Sequence, residues 1–296
     1  MKIERKTEVL VAASMTAVLL AWMACDVFDS ATGKALAKLT GGTLAYAIAA
    51  WMAFRVASEH RQQKPQQNWM KIAWLAMGTN ALIFIFRPLV ETHLWNRVIE
   101  RYSTSPLEGF LLHVLIIPAN CFFLIGVLAM WKAFSGVGLG FKIKTRDYLA
   151  MASVMALMFA LMFYRQHLSE AQSPILMSRV LQPFGLALLS ICAAMSLVLY
   201  RLSMQMGGGT LAVALRWLAA FALLRGSLVL LNLLKQEFFA ETIFPINGFI
   251  TYVFDIGWQV VPWTLAFAAT CRAEMTVMAA RELRQRRAAR GALASV

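Results

Sequence analysis

Five ionisable residues lie inside or at the mouths of long apolar blocks: Arg87, Glu108, His113, Arg225 and Asp255. A charged side chain at bilayer depth is costly, so it pairs, lines a wet cavity or meets a ligand. Arg225 and Asp255 fall about ten and seven residues, roughly 15 Å and 10 Å, from the same end of consecutive antiparallel segments. An Arg225–Asp255 ion pair is the expectation, and Arg87 faces the Glu108–His113 segment in the same way. Asn80, Asn120, Asn232 and Gln182 add hydrogen-bonding groups at depth. Two readings stand. These residues line an outward-facing polar cavity for a charged or zwitterionic head group, or they tie neighbouring helices together.

Other chemistries find little support, and no catalytic residue is expected. Gly207-Gly208-Gly209 lacks the lysine of a phosphate-binding loop and reads as a hinge. The chain has no HExxH, no Ser/His/Asp set and no paired carboxylates. Of His60, His93, His113 and His167, His113 alone sits at depth, so no histidine pair could hold haem. Cys25, Cys121, Cys192 and Cys271 form no CxxC, which argues against a zinc site or a disulfide framework. The methionines from Met151 to Met162 read as packing material, not a copper site. No cofactor and no metal are expected.

The elements that position these residues are long and apolar. Of 296 residues, 60% are apolar and 15% charged, against about a quarter charged in soluble domains. A hydrocarbon core needs about 20 helical residues, and eight segments supply them: 8–28, 35–56, 69–89, 107–133, 147–165, 177–203, 211–235 and 248–270. Lipid cannot satisfy exposed backbone groups, so the segments are helices. The expected fold is an all-α polytopic membrane bundle of eight transmembrane helices over residues 1–271, followed by a basic tail at 272–296. The basic Met1–Lys6 stretch leads into an uncleaved first span. Trp22, Trp51, Trp69 and Trp131, near span ends, read as interfacial anchors.

The formal charge of +13 is explained by topology, with no nucleic-acid partner. Of the 28 Lys and Arg, 19 fall on the side of the N-terminus and 7 on the other, with Arg87 and Arg225 inside spans. Positive residues mark the cytoplasmic side, so both termini are expected in the cytoplasm and the protein in the inner or plasma membrane. The run from Arg272 to Arg290 reads as a contact for anionic lipid or a protein partner, or as a plain positive anchor.

The chain carries signs of a duplication. Phe86-Arg87-Pro88-Leu89 is followed by Pro106-Leu107-Glu108-Gly109-Phe110, and Leu224-Arg225-Gly226-Ser227 by Pro245-Ile246-Asn247-Gly248-Phe249. One gap aligns the pairs. Two parallel repeats of four spans are one expectation, residues 1–134 and 141–272, in the same orientation because each has an even number of spans; the alternative is two short helix-start motifs, Pro then Glu or Asn then Gly, without common ancestry.

The Tyr252-Val253-Phe254-Asp255 run opening the last span, after an Arg-bearing span, resembles the fungal lipid-translocating exporter family. The Arg87 span followed by Gly109-Phe110-Leu111-Leu112 is similar to an early pair of spans there. The chain departs from that pattern at Asn247, where the family has an acidic residue, and at Thr270-Cys271-Arg272, where it has His-Pro-Gly. The resemblance implies a helical membrane fold and a lipid or toxic amphiphile as ligand. The expected function is handling or export of such a molecule. The alternative is an accessory or scaffold subunit of a membrane complex, or a membrane sensor signalling through its basic tail.

Overall fold

Apolar runs broken only by isolated polar residues leave the backbone one economical way to bond itself, the helix. The computed structural model is all-helical among its described residues. The order is α1 (Lys6–Val27), α2 (Ala31–Glu59), α3 (Pro65–Glu91), α4 (Pro106–Ser135), α5 (Thr145–Ser169), α6 (Leu176–Gln205), α7 (Thr210–Phe238) and α8 (Phe244–Leu293). The structure describes residues 6–28, 30–59, 65–91, 106–135, 144–169, 176–206, 209–238 and 244–293. Within these, the backbone alone is described at 6, 31, 35, 65–67, 87–91, 106–114, 158, 161–169, 176–183, 232–238, 244–248 and 276–293.

Among the described residues five helices are long and apolar enough to cross a membrane, and each contains one such stretch: Thr7–Val27, Asn68–Phe86, Leu115–Ser135, Phe184–Gln205 and Thr210–Leu231. Of the eight segments expected, five are met there. Polar residues dilute two of the others: α2 carries Lys34, Lys38 and Thr40-Gly41-Gly42-Thr43, and α8 holds Asp255, Gln259 and Arg272. The side chains of α5 are described only in part, over less than a membrane-crossing length.

Six helices form a closed circuit of neighbours, in the order α2, α3, α4, α6, α7, α8 and back to α2. Outside it, α1 packs on α2 and α8, and α5 packs on α6 with a lighter contact to α7. Small residues let the backbones approach, as lipid-embedded helices require. Ala45, Ala49, Ala53 and Ala57 recur every four residues along α2 and are buried. Gly126 on α4 lies so close to α3 that an added Cβ would stand 2.7 Å from Met77 Cε and 3.2 Å from the Ala73 carbonyl oxygen. Gly209, in the turn between α6 and α7, has φ 105°, a conformation that favours glycine.

Contacts between sequential helices run antiparallel. Val18 and Cys25 on α1 meet Gly41 and Gly33 on α2, and Phe54 on α2 meets Gly78 on α3 while Tyr46 stacks on Phe84. One end of the bundle gathers several polar ties. The Thr7 N–H donates to Glu274 Oε1 at 3.0 Å, joining the start of α1 to α8. Lys132 stands 4.1 Å over the Trp69 ring, joining α4 to α3. Arg201 Nε donates to Asp147 Oδ1 at 2.6 Å, joining α6 to α5, and Asp147 Oδ2 accepts from the Lys144 N–H at the start of α5. From this end α8 continues without a break past Arg272, so the basic segment is an extension of the last helix. At 50 residues, α8 is about 75 Å long.

Gly126→Val should lower stability by about 1–3 kcal/mol, the usual cost of forcing atoms into a packed interface. Thermal unfolding of the detergent-solubilised protein, read by tryptophan fluorescence, measures it. An unchanged midpoint would contradict the close α3–α4 approach.

Candidate functional site

Arg225 is 3% exposed on α7. Its Nη1 donates to Asn120 Oδ1 on α4 at 2.8 Å. The guanidinium carbon stands 4.2 Å from the centroid of Phe84 on α3 and 5.9 Å from that of Phe221. Ring faces attract a desolvated cation, about 2 kcal/mol in favourable cases, so two rings and an amide oxygen replace much of the lost water. The same node draws in more groups. Asn80 on α3 donates to the Ala119 carbonyl at 2.6 Å, and the Cys192 thiol on α6 lies 3.5 Å from the Asn120 carbonyl. These donors settle both amide orientations, since a flip would set donor against donor or acceptor against acceptor. One half of each amide is left over: Asn80 Oδ1 and Asn120 Nδ2 are buried without a hydrogen-bond partner among the described residues.

Asp255 is not part of this node. Among the described residues Arg225 and Asp255 form no ion pair, which corrects the pairing expected from their depths. The reason is rotational. On α8, Gly257 is the residue that meets α7, with an added Cβ falling 2.5 Å from Leu228 Cδ2. Asp255 precedes it by two residues, about 200° around the helix, and so is turned away from α7. The face it occupies is that of Tyr252, whose ring lies 5.6 Å from Trp22 on α1. At about 100° per residue, Asp255 is about 60° from Tyr252, and Gln259 about 20° from it. Asp255 is half-buried, and Gln259 is 4% exposed. Neither side chain makes a hydrogen bond or ion pair among the described residues.

The structure thus separates two of the expected site residues. Arg87 lies on α3, and Glu108 and His113 on α4, but their side chains are outside those described, as are Asn232 and Gln182. Pro118 and Pro262 lie inside α4 and α8, which continue through them. Gln259 was missed in the sequence reading, although its position four residues after Asp255 put both on one helix face. Trp22 was expected at the interface and is instead 5% exposed, against Tyr252. Among the described residues no group of three or more His, Cys, Asp or Glu comes together. No protein-family model, no curated protein and no solved structure matches the chain.

A double-mutant cycle separates the node from the seam. Arg225→Leu and Asn120→Leu should couple by about 1.5–3 kcal/mol, the range for a hydrogen bond to a charged group. Arg225→Leu and Asp255→Leu should add within about 0.5 kcal/mol, as separated sites do. Unfolding midpoints of the single and double variants measure both, and strong Arg225–Asp255 coupling would contradict the geometry.

Proposed function

We propose that the chain is an eight-span protein of the cytoplasmic membrane, with both ends in the cytoplasm, that binds a lipid or other amphiphile and handles or exports it. The single observation that carries the ligand is Asp255. A carboxylate at bilayer depth without a protein partner among the described residues marks a ligand or ion site by default, whereas Arg225 has its amide and ring partners and acts as inter-helical glue. The ligand site therefore sits at the seam of α1 and α8, not in a cavity built on Arg225. Tyr252 and Asp255, the first and last residues of the run that resembles the exporter family, share this face of α8.

Eight spans are supported by the antiparallel contacts. α2 runs along both α1 and α3 over its 29 residues, about 43 Å, and both neighbours are apolar enough to span. α8 accompanies α7 in the same way. A parallel duplication is supported by the circuit of neighbours. Exchanging α1–α4 with α5–α8 turns α2–α3 into α6–α7, α3–α4 into α7–α8 and α4–α6 into α8–α2, so every link of the circuit is kept.

A second reading, an accessory subunit or sensor, is favoured by one feature. α8 continues as one helix to Leu293, and its last part carries Arg281, Arg284, Arg286, Arg287 and Arg290, a basic run suited to anionic lipid or a protein partner.

Native mass spectrometry in a mild detergent tests the ligand. The wild type and an Asn120→Leu/Arg225→Leu variant should retain a bound amphiphile, and Asp255→Asn should retain severalfold less. Equal retention in Asp255→Asn, or none in the wild type, would overturn the reading in favour of the accessory one. Reporters fused at Met1 and Val296 should both read cytoplasmic, and one inserted near Ser169 should read the opposite side. Termini on opposite sides would remove the eight-span topology.

A further inference from the structure

The polar layer inside the six-helix circuit contains two amides that are each only half used. Asn80 on α3 and Asn120 on α4 are both 0% exposed. Asn80 Nδ2 donates to the carbonyl of Ala119, the residue before Asn120, so the two amides lie beside neighbouring positions of one helix. Each commits one half to a partner: Asn80 to that carbonyl, Asn120 to Arg225. The halves that remain are complementary. Asn80 Oδ1 is an acceptor and Asn120 Nδ2 a donor, yet they bond neither each other nor any described residue. A buried amide half without a hydrogen bond is costly, the more so where bulk solvent cannot reach it.

We propose that one internal water molecule binds between Asn80 and Asn120, accepting from Asn120 Nδ2 and donating to Asn80 Oδ1. Two strong polar partners meet the minimum that holds a buried water. The direction of the bonds favours this occupant. With the water in place, a single head-to-tail chain runs from the Arg225 guanidinium through Asn120, the water and Asn80 to the Ala119 carbonyl, each member donating to the next. Bonds aligned in this way polarise and strengthen one another, so Asn120 becomes a better acceptor for the buried cation. Other occupants fit worse. An anion would meet the lone pairs of Asn80 Oδ1, and a cation would meet the Asn120 N–H group beside Arg225. A hydroxyl on a larger molecule would need room for its body, and Phe84, Ala119, Phe221 and Cys192 around the node are at most 2% exposed. The site is independent of any ligand at Asp255.

Crystals of the full chain grown in a lipidic phase, diffracting far enough to show ordered water, test it. The map should hold one water-sized peak within about 2.7–3.2 Å of both Asn80 Oδ1 and Asn120 Nδ2. Hydroxyl-radical labelling in detergent reads the same water in solution, because radiolysis of a bound water oxidises the side chains beside it. Cys192 is 2% and Cys271 1% exposed, so radicals from bulk solvent reach both alike, and the two thiols share one intrinsic reactivity. Cys192, whose thiol meets the Asn120 carbonyl, should be labelled severalfold faster than Cys271. Asn80→Leu removes the acceptor and should bring Cys192 down to the rate of Cys271. If that variant does not fold, the wild-type map and labelling still decide. Amides bonded directly to each other or to another side chain, a peak too large for one water, or equal labelling of Cys192 and Cys271 in the wild type would overturn the proposal.

Discussion

A guanidinium buried in the middle of a helical bundle must be solvated by the protein, and Arg225 is solvated by residues from elsewhere in the chain. Its oxygen acceptor comes from α4, its nearest ring from α3 and a second ring from its own helix. Removing the partner of a buried charge is strongly destabilising, so these elements are held in one relative register. The constraint spreads outward. Phe84 also stacks on Tyr46 of α2 at 5.2 Å, and Phe221 packs on Phe123 of α4 at 5.5 Å. Aromatic contacts through Arg225 thus link α2, α3, α7 and α4. Around this layer the bundle closes on small residues: alanines along α2, and glycines on α2, α4 and α8 where a neighbour presses close.

With Arg225 committed to the interior, α8 is free to use its other face. It meets α7 at Gly257, beside Leu228, and at Phe267, stacked on Trp217, while Asp255 lies about 60° around α8 from Tyr252, which packs on Trp22 of α1. Of the five apolar stretches found among the described residues, that of α1 is the least buried, at 11%. A tightly held core and a loosely covered outer helix can therefore coexist in one bundle. The Thr7–Glu274 hydrogen bond holds the start of α1 to α8, and the Trp22–Tyr252 ring contact joins the two helices farther along.

The helical architecture was legible because length and apolarity are local properties. The segment expected at 35–56 lies within α2 (Ala31–Glu59), and that at 211–235 within α7 (Thr210–Phe238). The helices overrun because helical bonding continues through flanking polar residues that hydropathy discounts. Depth was legible too, which is why Arg225 and Asp255 looked like partners. Rotation was not: two residues of phase turn Asp255 to the far side of α8, and the position of Gly257 against Leu228 is a tertiary fact. Asn120 was visible as a polar residue at depth, but its role as the acceptor for Arg225 joins residues 105 positions apart.

Cysteine cross-linking in native membranes reads helix phase directly. In a background lacking the four natural cysteines, Leu228→Cys/Gly257→Cys and Arg225→Cys/Asp255→Cys place paired thiols on α7 and α8 at similar depth. The account predicts rapid disulfide formation across 228–257 under mild oxidation and little across 225–255. Efficient cross-linking of 225–255 with none at 228–257 would put Arg225 and Asp255 face to face, and would contradict the separation of core and seam on which the functional reading depends.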